Sequence, residues 1–306
     1  MERGPFMCRF DWYQATVVQE SELVVERLHD DGPCGFRGKT LERPGLARKY
    51  RQYNRAFDML NEDGEAVGQV WAGEGVQPSV RFSGENAPEG AEWLRREYLG
   101  MHYVTRVDAC IDLVEAGGFE RVVPMMAEIA KSRRMAFQSI GDALNDRAGR
   151  TQYLGSRESS VYVRAYEKGW EQIAKVPYGL RDKVSKVWDE IGKVWIAPEN
   201  WIRLECVRRP DAKQMTDRWY LASAQPVEVW GSSEWAARLL REAVGEVVEA
   251  RTVRVTKVSK ADRAALNLVN QYGKWLDEWA KELGSAAAVG EMLMRVRVAM
   301  GEIGGL

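Results

Sequence analysis

The sequence is poor in the residues that build most metal and redox sites. It contains two histidines, His29 and His102, and four cysteines that form no Cys-x-x-Cys pair. A site built on paired histidines or on three histidine ligands is therefore excluded. The cysteine spacing also speaks against a zinc site or a disulfide framework, and we expect reduced, partly buried thiols.

Long apolar runs and a strong net charge are also missing. No charge-free stretch reaches the length of a membrane span, and the N-terminus has no apolar core of signal-peptide length. These absences predict a cytoplasmic protein with no membrane partner. The formal net charge of −1 excludes a protein coated in basic charge, but local basic patches are compatible with it.

The apolar patterns predict an α+β protein. Strands are predicted at residues 8–18, 103–113, 160–167 and 201–208, and an amphipathic helix at 119–134. The order of strands and helices is similar to the ferredoxin-like arrangement. We therefore expect an antiparallel sheet, or sheets, of ferredoxin-like or saddle type, with helices on one face and further helices at the C-terminus.

The expected domain organisation follows from the same patterns. Residues 1–210 are predicted to form the functional domain, with two related halves at 1–100 and 101–210 as a further expectation. Residues 211–306 are predicted to be mainly helical. Within the first domain, residues 170–195 are also expected to be mainly helical.

Three of the predicted strands carry polar residues on one face and apolar residues on the other, because alternate residues of a strand share a face. The polar residues of interest are Arg106, Asp108 and Asp112, then Arg164, Tyr166 and Lys168, and then Arg203 and Glu205. If the three strands belong to one sheet, all of these lie on the same side, since the apolar sides share the core.

Such a face has two interpretations. Three carboxylates are enough to hold Mg²⁺ or Mn²⁺, and a tyrosine beside lysine and arginine is expected to lose its proton more easily. The cations would neutralise charge on a phosphate under attack. The alternative is a solvent-facing sheet whose alternating charges form cross-strand salt bridges.

The same residues carry a family resemblance over about residues 8–210. Four segments resemble, in order, the motifs of the Rep_trans family of replication initiators: Thr105-Arg106-Val107-Asp108-Ala109-Cys110-Ile111-Asp112, Tyr153-Leu154-Gly155-Ser156-Arg157, Val163-Arg164-Ala165-Tyr166-Glu167-Lys168 and Trp201-Ile202-Arg203-Leu204-Glu205. The segment Phe10-Asp11-Trp12 is similar to the first strand of that family.

The resemblance implies a rolling-circle replication initiator that nicks and rejoins one DNA strand through a 5′-phosphotyrosine intermediate, with Mg²⁺ or Mn²⁺. Tyr166 matches the nucleophile, and Lys168 and Arg164 match basic positions beside it. The acidic motif positions, and so the metal-ligand candidates, are Asp108, Asp112 and Glu205. Basic motif positions implied to contact DNA are Arg106, Arg203 and Arg157.

A basic segment at residues 43–55 is a further candidate DNA-binding site. Its candidate residues are Arg48, Lys49, Tyr50, Arg51, Tyr53 and Arg55. Bases can stack on the tyrosine rings while the cations follow the phosphates. The alternative is a solvated surface loop.

The expected partners are therefore an origin hairpin with a single-stranded nick site, a host helicase and a second copy of the chain. Two other functions stay open at this point. One is a relaxase that nicks an origin of transfer. The other is a non-catalytic DNA-binding regulator with the same fold.

Overall fold

The protein folds into two units, Met1–Arg254 and Val255–Leu306. The computed structural model describes residues 7–49, 52–141, 149–189, 193–244 and 260–303.

A single antiparallel sheet of ten strands forms the centre of the first unit. The strands of this unit are β1 (Cys8–Val17), β2 (Thr40–Glu42), β3 (Arg55–Leu60), β4 (Ala66–Ala72), β5 (Ser79–Ser83), β6 (His102–Val114), β7 (Phe137–Ile140), β8 (Thr151–Leu154), β9 (Val161–Glu167), β10 (Val187–Asp189), β11 (Val194–Ile196) and β12 (Trp201–Arg208). All except β10 and β11, which form a separate hairpin, belong to the large sheet.

Helices accompany the sheet and form the second unit. They are α1 (Ser21–Asp31), α2 (Pro44–Lys49), α3 (Ala87–Glu97), α4 (Gly118–Arg133), α5 (Lys168–Lys175), α6 (Met215–Ser223), α7 (Pro226–Gly231), α8 (Glu234–Val244), α9 (Lys260–Leu283) and α10 (Ala286–Ile303). The prediction of an α+β protein with an antiparallel sheet and C-terminal helices is confirmed.

The strand order is symmetrical about the central pair of β1 and β6. The order is β2-β3-β4-β5-β1-β6-β12-β9-β8-β7, and all of its pairs are antiparallel. In each half the central strand leads into a helix, α1 after β1 and α4 after β6. The proposal of two related halves, at residues 1–100 and 101–210, rests on this symmetry.

The main core lies between one face of the sheet and the longer helices. On β6 the inward residues Val107, Ala109 and Ile111 are buried, as the alternation of the sequence predicts. On α4 the buried positions Val122 and Met126 recur at helical spacing. The short helices α2 and α5 contact the opposite face, in small apolar clusters of their own.

The compact first unit extends past residue 210. Helices α6, α7 and α8 bury Leu221, Trp230 and Leu239 in the main core. They therefore belong to the same body as the sheet. The division at residue 210 into a nicking domain and a helical region concerns function and stays a prediction.

The prediction of a mainly helical segment at residues 170–195 is wrong beyond α5. A 3-10 helix spans Tyr178–Lys183, and β10 and β11 follow as a hairpin. Pro177 explains the end of α5, because proline lacks an amide proton and disfavours helix at the residue before it. The valine and tryptophan content of the following residues favours strand.

The second unit is a pair of helices that pack against each other. They are joined near Gly284, whose φ of +82° lies in the left-handed region that glycine adopts without strain. On α9, Trp275 is exposed. Among the described residues, no helix is long and apolar enough to span a membrane.

Candidate active site

Most of the predicted site residues lie on the face of the sheet opposite the main core, here called the polar face. Strand register sets them in rows across three neighbouring strands. In one row, Arg203 of β12 lies between Asp112 of β6 and Tyr166 of β9. In the next row, Glu205 of β12 lies beside Arg164 of β9.

Tyr166, Glu205 and Arg164 form one hydrogen-bonded group. The Tyr166 hydroxyl donates a hydrogen bond of 2.6 Å to Oε1 of Glu205, and Nε of Arg164 donates one of 2.5 Å to Oε2. The Arg164 guanidinium lies 5.3 Å from the centre of the Tyr166 ring. Glu205 is fully buried, whereas the other two are half-buried, so solvent reaches the group from the tyrosine and arginine side.

Burial gives this group unusual acid–base properties. It raises the pKa of Tyr166 well above the ordinary value, and the Glu205 carboxylate raises it further. The expectation that the phenol loses its proton more easily is therefore wrong for the protein without DNA. Burial also raises the pKa of Glu205 to about 7, although Arg164 acts in the opposite direction. A carboxylate that titrates near neutrality is suited to accept a phenol proton.

Asp112 is held by two arginines. Arg203 donates to both of its oxygens, at 2.7 and 2.9 Å, and Arg9 donates at 2.5 Å. A further bond of 2.7 Å joins Arg203 to Asp11. Burial favours the neutral acid, yet Arg203 and Arg9 outweigh it and lower the pKa of Asp112. This network ties β1, β6 and β12 together in the same row as Tyr166.

Asp108 is paired with an arginine of its own strand. Arg106 donates two hydrogen bonds to it, at 2.9 and 2.6 Å, and the Arg106 guanidinium lies 4.1 Å from the ring centre of Trp12. Burial raises the pKa of Asp108 in spite of Arg106. The charge of Arg106 is therefore neutralised by a buried acid, and Arg106 is not free to bind a phosphate in this arrangement.

Lys168 lies close to Tyr166, although it is the first residue of α5 and not the last residue of the strand. Its Nζ is 5.7 Å from the centre of the Tyr166 ring and 2.5 Å from Oε2 of Glu171. Burial lowers the pKa of Lys168, and the positive charge of Arg203 adds to the effect. A lysine of lowered pKa can give up its proton more readily than an exposed one.

The three predicted metal ligands do not meet in one group. Asp108, Asp112 and Glu205 each form an ion pair with a different arginine. Among the described residues, no three or more acidic, histidine or cysteine side chains are placed to hold a metal ion. Since Mg²⁺ and Mn²⁺ require several free oxygen ligands, these acids as arranged do not fit such a site. A metal requirement therefore stays a prediction.

The predicted DNA-binding residues are spread over the first unit. Outside the described part of the structure lie the side chains of Arg48, Lys49, Tyr50 and Arg51. Tyr53 is half-buried and packs in the small cluster beside α2, and Arg55 on β3 is exposed. In the other half, exposed Arg157 lies 5.3 Å from the ring centre of Tyr153.

Strand β1 supplies three residues of the polar face that the alternation argument missed: Arg9, Asp11 and Trp12. Its pairing with β6 shifts register between Phe10 and Trp12. Such a bulge lets two consecutive residues face the same side, so a strict period of two cannot place both Asp11 and Trp12 on this face. A charged residue inside an apolar strand was the available signal.

Comparison with known proteins gives a structural likeness. No family model matches the chain, and no curated protein matches it. Among solved structures, the chain is similar to a rolling circle replication initiator protein from Geobacillus stearothermophilus, with 17% identity and a TM-score of 0.47. The match covers 87% of this chain and 97% of that chain.

Proposed function

We propose that this protein is a DNA-nicking enzyme that initiates rolling-circle replication, with Tyr166 as its nucleophile. The observation that carries the proposal is the 2.6 Å hydrogen bond from the Tyr166 hydroxyl to Glu205, a buried carboxylate with a pKa of about 7. Nucleophile and base within hydrogen-bond reach are what covalent catalysis by a hydroxyl requires. The four motifs that resemble the Rep_trans family support the same reading.

In the proposed reaction, the Tyr166 oxygen attacks the phosphorus of a phosphodiester in single-stranded DNA. The bond from phosphorus to tyrosine forms as the bond to the 3′ oxygen breaks. The phenol proton passes to Glu205, and the Lys168 ammonium gives a proton to the departing 3′ oxygen. The products are a 5′-phosphotyrosine and a free 3′ hydroxyl, from which a polymerase can extend. Rejoining is the reverse of these steps.

The arginines have different parts in this proposal. The side chain of Arg164 is 30% exposed, so Nη1 can contact the phosphate while Nε and Nη2 hold Glu205. A fixed cation there stabilises the charge that develops in the transition state. Arg203 is 5% exposed and bound to Asp112 and Asp11, so we assign it a positioning role.

Mg²⁺ or Mn²⁺ enters the proposal as an experimental variable only, and no step is derived through it. A bound cation would neutralise charge on the phosphate. The origin hairpin, the host helicase and the homodimer likewise stay predictions about partners.

The proposal is tested with Tyr166→Phe in a nicking assay on supercoiled DNA that carries the native locus. We expect no nicked circle and no covalent protein–DNA adduct, with DNA affinity retained. Tyr162→Phe is the matched control, since Tyr162 is on the same strand and the same face, and this variant should nick at the normal rate. Normal nicking by the Tyr166 variant would sink the assignment.

A further inference from the structure

A concave site lies on the polar face around the start of β6, away from Tyr166. It is a cavity of about 590 Å³ between β1, β4, β5, the start of β6 and helix α6. Its lining includes Gln14, Gln77, Tyr53, Trp71, Tyr103 and Arg218. The volume is in the range of small-molecule sites, and aromatic, amide and cationic groups converge on it.

Arg218 sets this cavity apart from the rest of the polar face. Its guanidinium lies 4.6 Å from the ring centre of Tyr103, and its nitrogens reach two neutral acceptors, the Val104 carbonyl oxygen at 3.3 Å and Met215 Sδ at 3.7 Å. Among the described residues, no carboxylate lies within 4 Å of it. Its positive charge is therefore not neutralised by an ion pair of the described chain.

Three arginines of the strands on this face differ in that respect. Arg106, Arg164 and Arg203 each hold a carboxylate in a hydrogen-bonded pair. Burial lowers the pKa of Arg218, and the charge of Asp211, which forms no ion pair with it, acts in the opposite direction without outweighing burial. An anion bound in the cavity would form the ion pair with Arg218 that the described residues do not form.

The remaining walls suit a planar, hydrogen-bonding group. Tyr103 is held in place by an edge-to-face contact with Trp219 at 5.6 Å and by a hydrogen bond of 3.2 Å from its hydroxyl to Gln77 Oε1. The Gln14 amide nitrogen contacts Ser79 Oγ at 3.3 Å. Aromatic rings offer a stacking surface to any base, and amides offer both donors and acceptors to a base edge.

We propose that this cavity binds one nucleotide of the single DNA strand that is cut at Tyr166, with its base against the aromatic walls and its phosphate at Arg218. The inference rests on the proposed function, since it takes the ligand to be part of the substrate strand. In this proposal, the part of the sheet away from the nucleophile fixes the register of the DNA strand relative to Tyr166.

Strand geometry sets the distance between the cavity and the cut. Tyr103 and Asp112 lie near opposite ends of β6, and Asp112 is in the row of Tyr166. At about 3.3 Å per residue, and allowing for a second register shift between Gln14 and Ala15, which leaves one extra residue in β6, the two levels are about 26 Å apart. A stacked strand with a rise of about 3.4 Å spans that distance in about eight nucleotides, and an extended strand needs fewer.

The test uses the full chain with Tyr166→Phe, so that no cleavage disturbs binding. A single abasic nucleotide is moved one position at a time along an oligonucleotide from the native nick site, and Kd is measured by fluorescence anisotropy. We expect one position, within about eight nucleotides of the nick, to raise Kd about tenfold more than its neighbours do. In Arg218→Gln and Tyr103→Leu, that peak should disappear.

Arg238→Gln is the matched control, because Arg238 lies on α8 and pairs with Glu128 and Glu242. It should keep the peak, and a thermal melt confirms that each variant is folded. A flat scan in the parent would overturn the proposal, and so would a peak that survives both cavity variants.

The four free deoxynucleoside monophosphates form a second arm of the experiment. If they bind in an Arg218-dependent way while the scan is flat, the cavity is a free-nucleotide site and the proposal fails.

The proposed function is scored separately by the nicking assay with native Tyr166. A peak in the abasic scan without nicking supports the nucleotide site in the cavity and refutes the proposed nicking activity. Nicking with a flat scan supports the nicking activity and refutes the nucleotide site.

Discussion

Replacement of Glu205 by glutamine is the sharpest probe of the proposed chemistry. In the folded protein, Oε1 of Glu205 accepts the Tyr166 hydroxyl at 2.6 Å, and Oε2 accepts Nε of Arg164 at 2.5 Å. Glutamine keeps the shape and one acceptor oxygen, but it cannot take up a proton. The variant therefore removes general-base catalysis with little change in packing.

The expected magnitude follows from that role. A positioned general base contributes about 10²–10⁴-fold to a rate, so Glu205→Gln should lower the single-turnover nicking rate by about that factor. Because the pKa of Glu205 is about 7, the native rate should rise with pH and level off above neutrality. The variant should lose this acid limb. DNA affinity should stay within about threefold, since the polar face keeps its cations.

Both the nicking rate and its pH dependence are measured by single-turnover nicking of a labelled oligonucleotide across about pH 5.5–9. The expected acid limb is centred in this range of about four units. The matched control is Glu167→Gln, which removes another buried carboxylate paired with an arginine, Arg150. It should lower stability and keep the nicking rate and its pH dependence. A Glu205→Gln enzyme within threefold of the native rate, or one that keeps the acid limb, would refute the assignment of the base.

Three further outcomes are expected. Arg203→Met leaves Asp112 and Asp11 short of a cation and should lower the free energy of unfolding in urea by about 3 kcal/mol. In the folded protein the pKa of Glu205 is about 7, above its ordinary value of 4.5, so the folded state binds the proton more tightly than the unfolded state does. The free energy of unfolding in urea should therefore fall as pH rises between these two values. Glu205→Gln should not show this slope. Mg²⁺ added without DNA should leave the melting temperature unchanged, because Asp108, Asp112 and Glu205 each already hold an arginine.

The sheet and its polar face were accessible to prediction because they depend on local alternation. Strands β6, β9 and β12 each have one apolar face, and burial of that face forces the other to one side. The register that sets Arg203 between Asp112 and Tyr166 is not local. The sequence predicts that these side chains share a face, and the pairing of distant strands decides which of them touch.

The acid–base and metal-binding properties of the site depend on burial and on ion pairing, which a sequence motif does not show. The position of Tyr166 beside arginine and lysine suggested a more acidic phenol, but burial and Glu205 act the other way and prevail. The acids suggested a metal site, yet each carboxylate is matched with an arginine in the folded chain. The cavity at Arg218 escaped prediction because helix α6 supplies that residue from outside the resembling motifs.

Strand β12 is the last strand of the sheet to be made, yet it lies between β6 and β9, which precede it in the chain. During synthesis these two strands leave the ribosome with their facing edges unpaired until residues 201–208 arrive. Glu205 comes with that final strand, so Tyr166 meets its proton acceptor only when the gap in the sheet is filled. A nascent chain thus lacks the contact between Tyr166 and Glu205 on which the proposed nicking depends, until folding of the sheet is complete.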